Sequence, residues 1–210
     1  MRRIAFTVAL VFLVTAAACG PKIGPLAGAV APSRLPPTEL PPVNQRIRFT
    51  WAYEDLDLRG RGEGVARVAP PDSVRLDLFL AGGNNGARAV LIDNELRAPG
   101  GYLGRSFLPP PPMLWAAFGR LHLPPTSDTT VRVDGDTLRA DIGRDPRWRA
   151  TFVASDLRRL ELIHDDRLQQ WVERTADRKI TYRHLRANRT LDLTIVRVDT
   201  VGGFDATIWR

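Results

Sequence analysis

The sequence predicts a mainly β fold: a curved antiparallel sheet of about eleven strands forming an incomplete barrel with a short helical lid. Three observations carry that expectation. From residue 46 onward, apolar and polar side chains alternate with period two in one short run after another, as in strands with one buried face. The runs are joined by a few residues each, too few for the crossover helices that parallel strands need. One stretch near the middle switches to helical period. A flat sheet of this length would expose two edges and lack a second layer, so it should curl, into a full barrel or an incomplete one capped by the helical segment. Either closure leaves an apolar concavity.

Of the 210 residues, 1–18 read as a signal peptide and 19–42 as a tether, which leaves 168 from Val43 to Arg210, the size of one globular domain. Arg2 and Arg3 give a positive start, and Ala16, Ala17 and Ala18 are the small residues of a cleavage site. The uncharged run from Ile4 to Ala18 is 15 residues long, short of the roughly 20 a spanning helix needs. The single cysteine, Cys19, follows directly, so the fold is expected to do without disulfides. Gly20 to Pro42 holds seven prolines in 23 residues, which forbids a continuous helix or central strand. An extended spacer, with the domain held away from a surface, is the expectation.

The alternating runs begin with Ile47, Phe49, Trp51 and Tyr53. A second strand, Leu58 to Val68, carries Gly60, Gly62 and Gly64 on one face, which marks either a bend or a place where something bulky lies across the sheet. Val74, Leu76, Leu78 and Leu80 form the third, reversed through Gly82 to Gly86, and Ala87 to Ile92 the fourth, ending at Asp93-Asn94. After Pro109 to Pro112, Leu114, Ala117, Phe118 and Leu121 stand at helical spacing, so Met113 to Leu121 is expected to be a short amphipathic helix stopped by Pro124-Pro125. The remainder returns to strands: Thr130 to Val133, a type I′ turn at Asp134-Gly135, Thr137 to Ile142, and then runs at Trp148–Phe152, Arg159–Ile163, Arg167–Arg174, Lys179–Arg186, Leu191–Val198 and Phe204–Trp209.

Composition excludes a disordered chain, with 44% apolar and 25% charged residues. Without Arg2 and Arg3 the chain holds 28 basic against 23 acidic side chains, a small excess, and no nucleic-acid partner is expected. Gly60-Arg61-Gly62-Glu63-Gly64 is not followed by a helix N-terminus, so it lacks the donors that hold a pyrophosphate. His122, His164 and His184 stand apart, without a metal-binding spacing, and Asp165-Asp166 is turn chemistry. No GxSxG elbow occurs, so no catalytic residue, metal or cofactor is assigned. Arg144, Arg147, Arg149, Arg158 and Arg159 form a basic stretch, either a solvated strand face or a contact for anionic head groups.

Ala16-Ala17-Ala18-Cys19 resembles the lipobox of bacterial lipoproteins, with Ala16 where leucine is preferred. The resemblance implies that Cys19 is lipidated and anchors the chain to membrane lipid; the alternative is an ordinary secreted protein. Gly20, in place of the aspartate that retains lipoproteins in the inner membrane, favours the outer membrane, facing the periplasm. Gly62-Glu63-Gly64, Val68, Pro70, Asp72 and Val74 to Asp77, with Ile180-Thr181-Tyr182 and Leu191 to Ile195, resemble the early and closing strands of the LolA/LolB-like superfamily of periplasmic lipoprotein carriers and outer-membrane receptors. The likeness covers most of 43–210. It implies an incomplete barrel with a helical lid over a cavity that accepts acyl chains. On that reading Leu114, Phe118 and Leu121 are lid and cavity residues. Arg67 and Arg75 are candidates for a gating or head-group arginine, or else face solvent. Acyl chains or lipoproteins would be the cargo of a monomer. The loop 81–86 has no leucine at its tip, unlike the receptor's. The competing expectation is a structural or assembly module of the outer membrane with a self-filled core, acting through protein contacts.

Overall fold

The computed structural model describes residues 20–32, 34–82, 86–98, 107–126 and 128–209. Residues 1–19, which include the expected signal peptide and Cys19, lie outside the described residues, as do the central positions of the loop at 81–86. A single antiparallel sheet of 13 strands dominates: β1 (Ala29–Ala31), β2 (Asn44–Glu54), β3 (Arg59–Ala69), β4 (Ser73–Leu80), β5 (Ala87–Ile92), β6 (Glu95–Arg97), β7 (Thr129–Asp134), β8 (Thr137–Ile142), β9 (Arg147–Val153), β10 (Asp156–His164), β11 (Arg167–Arg174), β12 (Lys179–His184) and β13 (Arg189–Val201). Their spatial order is β1-β7-β8-β9-β10-β11-β12-β13-β2-β3-β4-β5-β6. Hairpins build two meanders, β2 to β6 and β7 to β13, which the long-range pairing of β13 with β2 joins, while β1 adds to the far edge by a second long-range pairing with β7. The sheet curves without closing, leaving β1 and β6 as its edges. Helix α1 (Pro111–Ala117) packs against β10 and β11.

The alternation behaves as polarity dictates. Ile47, Phe49, Trp51 and Tyr53 are buried, and Arg46, Arg48, Thr50 and Ala52 are exposed. Phe152, Leu160, Ala140 and Ala150 lose all contact with solvent in the second meander. Each fully buried large apolar side chain contributes about 1.5–3 kcal/mol relative to exposure.

Two of the three glycines of β3 face aromatic rings, Gly60 that of Trp51 and Gly64 that of Phe49, while Gly62 lies against the backbone of β4. Gly60, Gly62 and Gly64 pair with Tyr53, Trp51 and Phe49. At Gly60 and Gly64 the bulky objects lying across the sheet are therefore side chains of the neighbouring strand β2. A Cβ at Gly64 would come within 2.4 Å of two ring atoms of Phe49, and one at Gly62 within 1.8 Å of the Phe79 carbonyl oxygen.

Several expectations need correction. Phe204–Trp209 is not a strand: Ala206–Trp209 forms a 3₁₀ turn, with Phe204 and Trp209 edge to face at 6.0 Å. The β7–β8 turn centres on Gly135-Asp136, with positive φ at Gly135 alone, so it is not type I′, which needs it twice. The helix ends at Ala117 rather than Leu121, because Gly119 turns the backbone to φ +84°. The largest change concerns 20–42. This segment is no free spacer but wraps the sheet. The Leu168 amide donates to the Pro21 carbonyl at 3.1 Å, and Arg149, on the outer face of β9, donates to the Gly24 carbonyl at 2.9 Å. β1 then pairs with β7, and Leu40 is buried in the core on the inner face. Proline removes donors but keeps its carbonyl, so such a segment can be held by donors from an arginine-rich surface.

Candidate functional site

The inner face is filled at one end and open at the other. Where β2 ends and β13 begins, Phe107 packs on Trp51 at 5.5 Å and on Tyr53 at 4.2 Å, and the Tyr182 hydroxyl bonds to Gln170 at 2.9 Å. Burial pushes both tyrosines up to about 12, so they remain neutral hydrogen-bonding groups. Where β2 begins and β13 ends, the same face lines a cavity of about 260 Å³. Its floor is Ile47, Phe49, Val68, Leu76, Ile180, Leu193 and Ile195. Its roof is Leu114, Ala117 and Phe118 from the lid, with Leu40 and Pro41 from the wrapping segment.

A bulge shapes the mouth. Between Ile195 and Arg197 the register of β13 shifts, leaving Val196 exposed and returning Val198 to the parity of Ile47. Val198 thus lines the cavity while 46% exposed, beside Gln45. The lid is tied from both sides: Trp115 Nε1 donates to the Asp93 carbonyl at 2.6 Å, and the Leu121 amide donates to Thr38 Oγ1 at 2.9 Å.

The lid residues expected from the sequence divide. Leu114 and Phe118 line the cavity together, whereas Leu121 lies past the Gly119 turn, packed on the core away from the cavity lining. Arg67 and Arg75 alternate with buried Ala66, Val68, Val74 and Leu76, so both point from the outer face. There Asp77 bonds to both, at 2.9 Å for Arg75 Nη2, and Arg75 Nη1 reaches the Ile208 carbonyl at 2.9 Å. Neither arginine lines the cavity. The basic stretch is likewise neutralised in place: Arg149 and Arg147 pair with Asp141, Arg159 with Glu161 and Glu173, Arg158 with Asp156 and Arg144 with Asp128. Asp145, His164 and Asp165 bring ligand-type atoms within 4.8 Å of one another, all exposed.

The cation that does line the cavity is Arg174, near the end of β11 on the parity of Leu168 and Val172. Its Nη1 donates to the Leu157 carbonyl at 3.1 Å, and the guanidinium lies against the Gly119 backbone, where a Cβ would come within 2.5 Å of Nη1. It forms no ion pair among the described residues. Burial, with Arg158 nearby, holds it below the ordinary arginine value.

Neither a protein-family model nor a curated relative matches the sequence. Among solved structures, a LolA superfamily protein from Nitrosomonas europaea is similar with a TM-score of 0.51 and 8% identity, covering 82% of this chain and 92% of that one. The fold is LolA-like. A putative outer membrane lipoprotein-sorting protein domain from Vibrio parahaemolyticus is similar at a TM-score of 0.49 and 4% identity, over 80% of this chain and 89% of that one. A DUF1329 family protein from Desulfovibrio piger follows at 0.44 and 8%, over 80% and 89%. In this LolA-like sheet Phe79 lies within β4, with 47% of its surface exposed. No helix among the described residues is long and apolar enough to cross a membrane.

Proposed function

We propose that this chain is a non-enzymatic, lipid-anchored protein of the outer membrane that holds an acyl chain, free or as part of a lipoprotein, in the cavity beneath its lid. The observation that carries this reading is the unfilled apolar cavity of about 260 Å³ beneath Leu114, Phe118 and Leu40. That volume lies just below the range of about 300–1,000 Å³ usual for small-molecule sites, so it suits a single chain or chain end. The LolA-like fold supports the carrier role and a place in the cell envelope, and lipoprotein localisation is the process it fits. The structural-module alternative draws on the opposite half of the inner face, which Phe107, Trp51 and Tyr53 fill.

A chain beginning at Gly20 retains every described element of the fold. Delipidated and titrated with a fluorescent fatty acid, it should bind saturably. Phe118→Asp should abolish that binding with the β circular-dichroism signal intact, because Phe118 lines the cavity but is only partly buried. A folded wild-type chain that shows no saturable binding to any single-chain lipid would put the structural module ahead. For the anchor, labelled palmitate should tag the full chain in a lipoprotein-processing host and be lost in Cys19→Ala. An untagged wild type beside a tagged control lipoprotein would remove the anchor.

A further inference from the structure

We infer that the ligand of this cavity is a single-chain amphiphile with an anionic head, whose carboxylate or phosphate is received by Arg174. The inference rests on the cavity reading above and adds the chemistry of the head group. Two of the 15 lining residues have polar side chains, Gln45 at the mouth and Arg174 by the lid. All the other lining side chains are apolar, so the tail of a ligand would meet only hydrocarbon, and polar recognition falls to these two.

Arg174 is singled out by what it lacks. The arginines of the outer face that neighbour carboxylates are paired with them, as at Arg75–Asp77, Arg149–Asp141 and Arg159–Glu161. On the inner face Arg174 has one acceptor, the Leu157 carbonyl, and its other N–H donors have no partner among the described residues. Asp156, a carboxylate whose charge acts on Arg174, is engaged by Arg158 at 3.1 Å. A partly desolvated guanidinium without a counter-ion is costly, and a carboxylate or phosphate monoester accepting two parallel N–H bonds relieves that cost. The backbone of Gly119 closes over the guanidinium from the lid side, so a head group bound there would also touch the segment that ends α1. Chain in the apolar floor and head on Arg174 is the arrangement this geometry accepts.

The test uses the chain from Gly20 and four probes of equal chain length: a fatty acid, a lysophosphatidic acid, the fatty alcohol and a monoacylglycerol. Displacement of a neutral fluorescent lipid gives each affinity. Wild type should bind at least one anionic probe roughly ten- to a hundredfold more tightly than the neutral two, the scale of a hydrogen-bonded charge pair. Arg174→Met, which keeps the aliphatic stem, should erase that difference, bringing the anionic probes to the affinity of the neutral two. Preference for the acid alone or for the phosphate alone identifies the head. Equal affinity of wild type for anionic and neutral probes overturns the inference while the cavity reading stands, whereas binding of no probe removes both. Should Arg174→Met fail to fold, the wild-type ranking of the four probes decides by itself.

Discussion

Replacing Trp115 with alanine is expected to remove about 3–5 kcal/mol from the folded state, a large fraction of the roughly 5–15 kcal/mol that holds a domain together. The indole is fully buried. It also joins three parts of the molecule. Its Nε1 donates to the Asp93 carbonyl in the β5–β6 turn, Arg120 stacks over the ring at 4.8 Å, and His122 meets it edge-on at 6.0 Å. His122 Nε2 also lies 2.8 Å from the Asp93 carboxylate without a hydrogen bond between them, so it is the indole N–H that fastens the hairpin to the lid here. Urea denaturation followed by far-ultraviolet circular dichroism should show the midpoint falling sharply in Trp115→Ala. Trp115→Phe should fall less, because most of the buried area survives while the bond to Asp93 is lost. A Trp115→Ala chain within about 1 kcal/mol of wild type would mean that α1 is not docked as a unit of the core, since surface-like sites cost no more than that.

What the sequence revealed follows from which interactions are local. The strands were legible because alternation is written into consecutive residues, as in Ile47 to Tyr53. The same alternation held more than was read from it. Arg67 sits between Ala66 and Val68, and Arg75 between Val74 and Leu76, so both belong to the outer face, while Arg174 shares the parity of Val172 and belongs to the inner one. Applied to arginines as well as apolar residues, parity would have named the cavity's cation. Other features had no local signature. The bulge that returns Val198 to the cavity depends on how β13 pairs with β2, more than 140 residues away in sequence. The wrapping of Gly20 to Leu40 depends on arginine donors and edge pairing from β7, β9 and β11, which proline content alone does not encode. The short β6 was hidden because three residues after a turn carry too little pattern to separate from a loop.

The glycines of β3 should separate stability from binding. At Gly62 an added Cβ would lie 1.8 Å from the Phe79 carbonyl oxygen and 3.1 Å from the Leu80 Cα, so both obstacles are backbone. Gly62→Ala can be accommodated only by parting β3 from β4. Overpacking of this kind costs about 1–3 kcal/mol, and more where backbone must move. At Gly64 the obstacle is the Phe49 ring, met at 2.4 Å, with Leu78 Cδ2 at 3.1 Å. Phe49 borders the cavity, so its ring has space to enter. Gly64→Ala should therefore lose less stability than Gly62→Ala but more affinity for a fluorescent fatty acid, because the displaced ring occupies volume the chain would use. Denaturation and titration of both variants check the pair. If Gly64→Ala proves as unstable as Gly62→Ala while binding the probe normally, Phe49 is clamped in place and the space beside it is not what the ligand occupies. If it stays stable and binds poorly, the ring opposite Gly64 sets how much of the 260 Å³ is open to a chain.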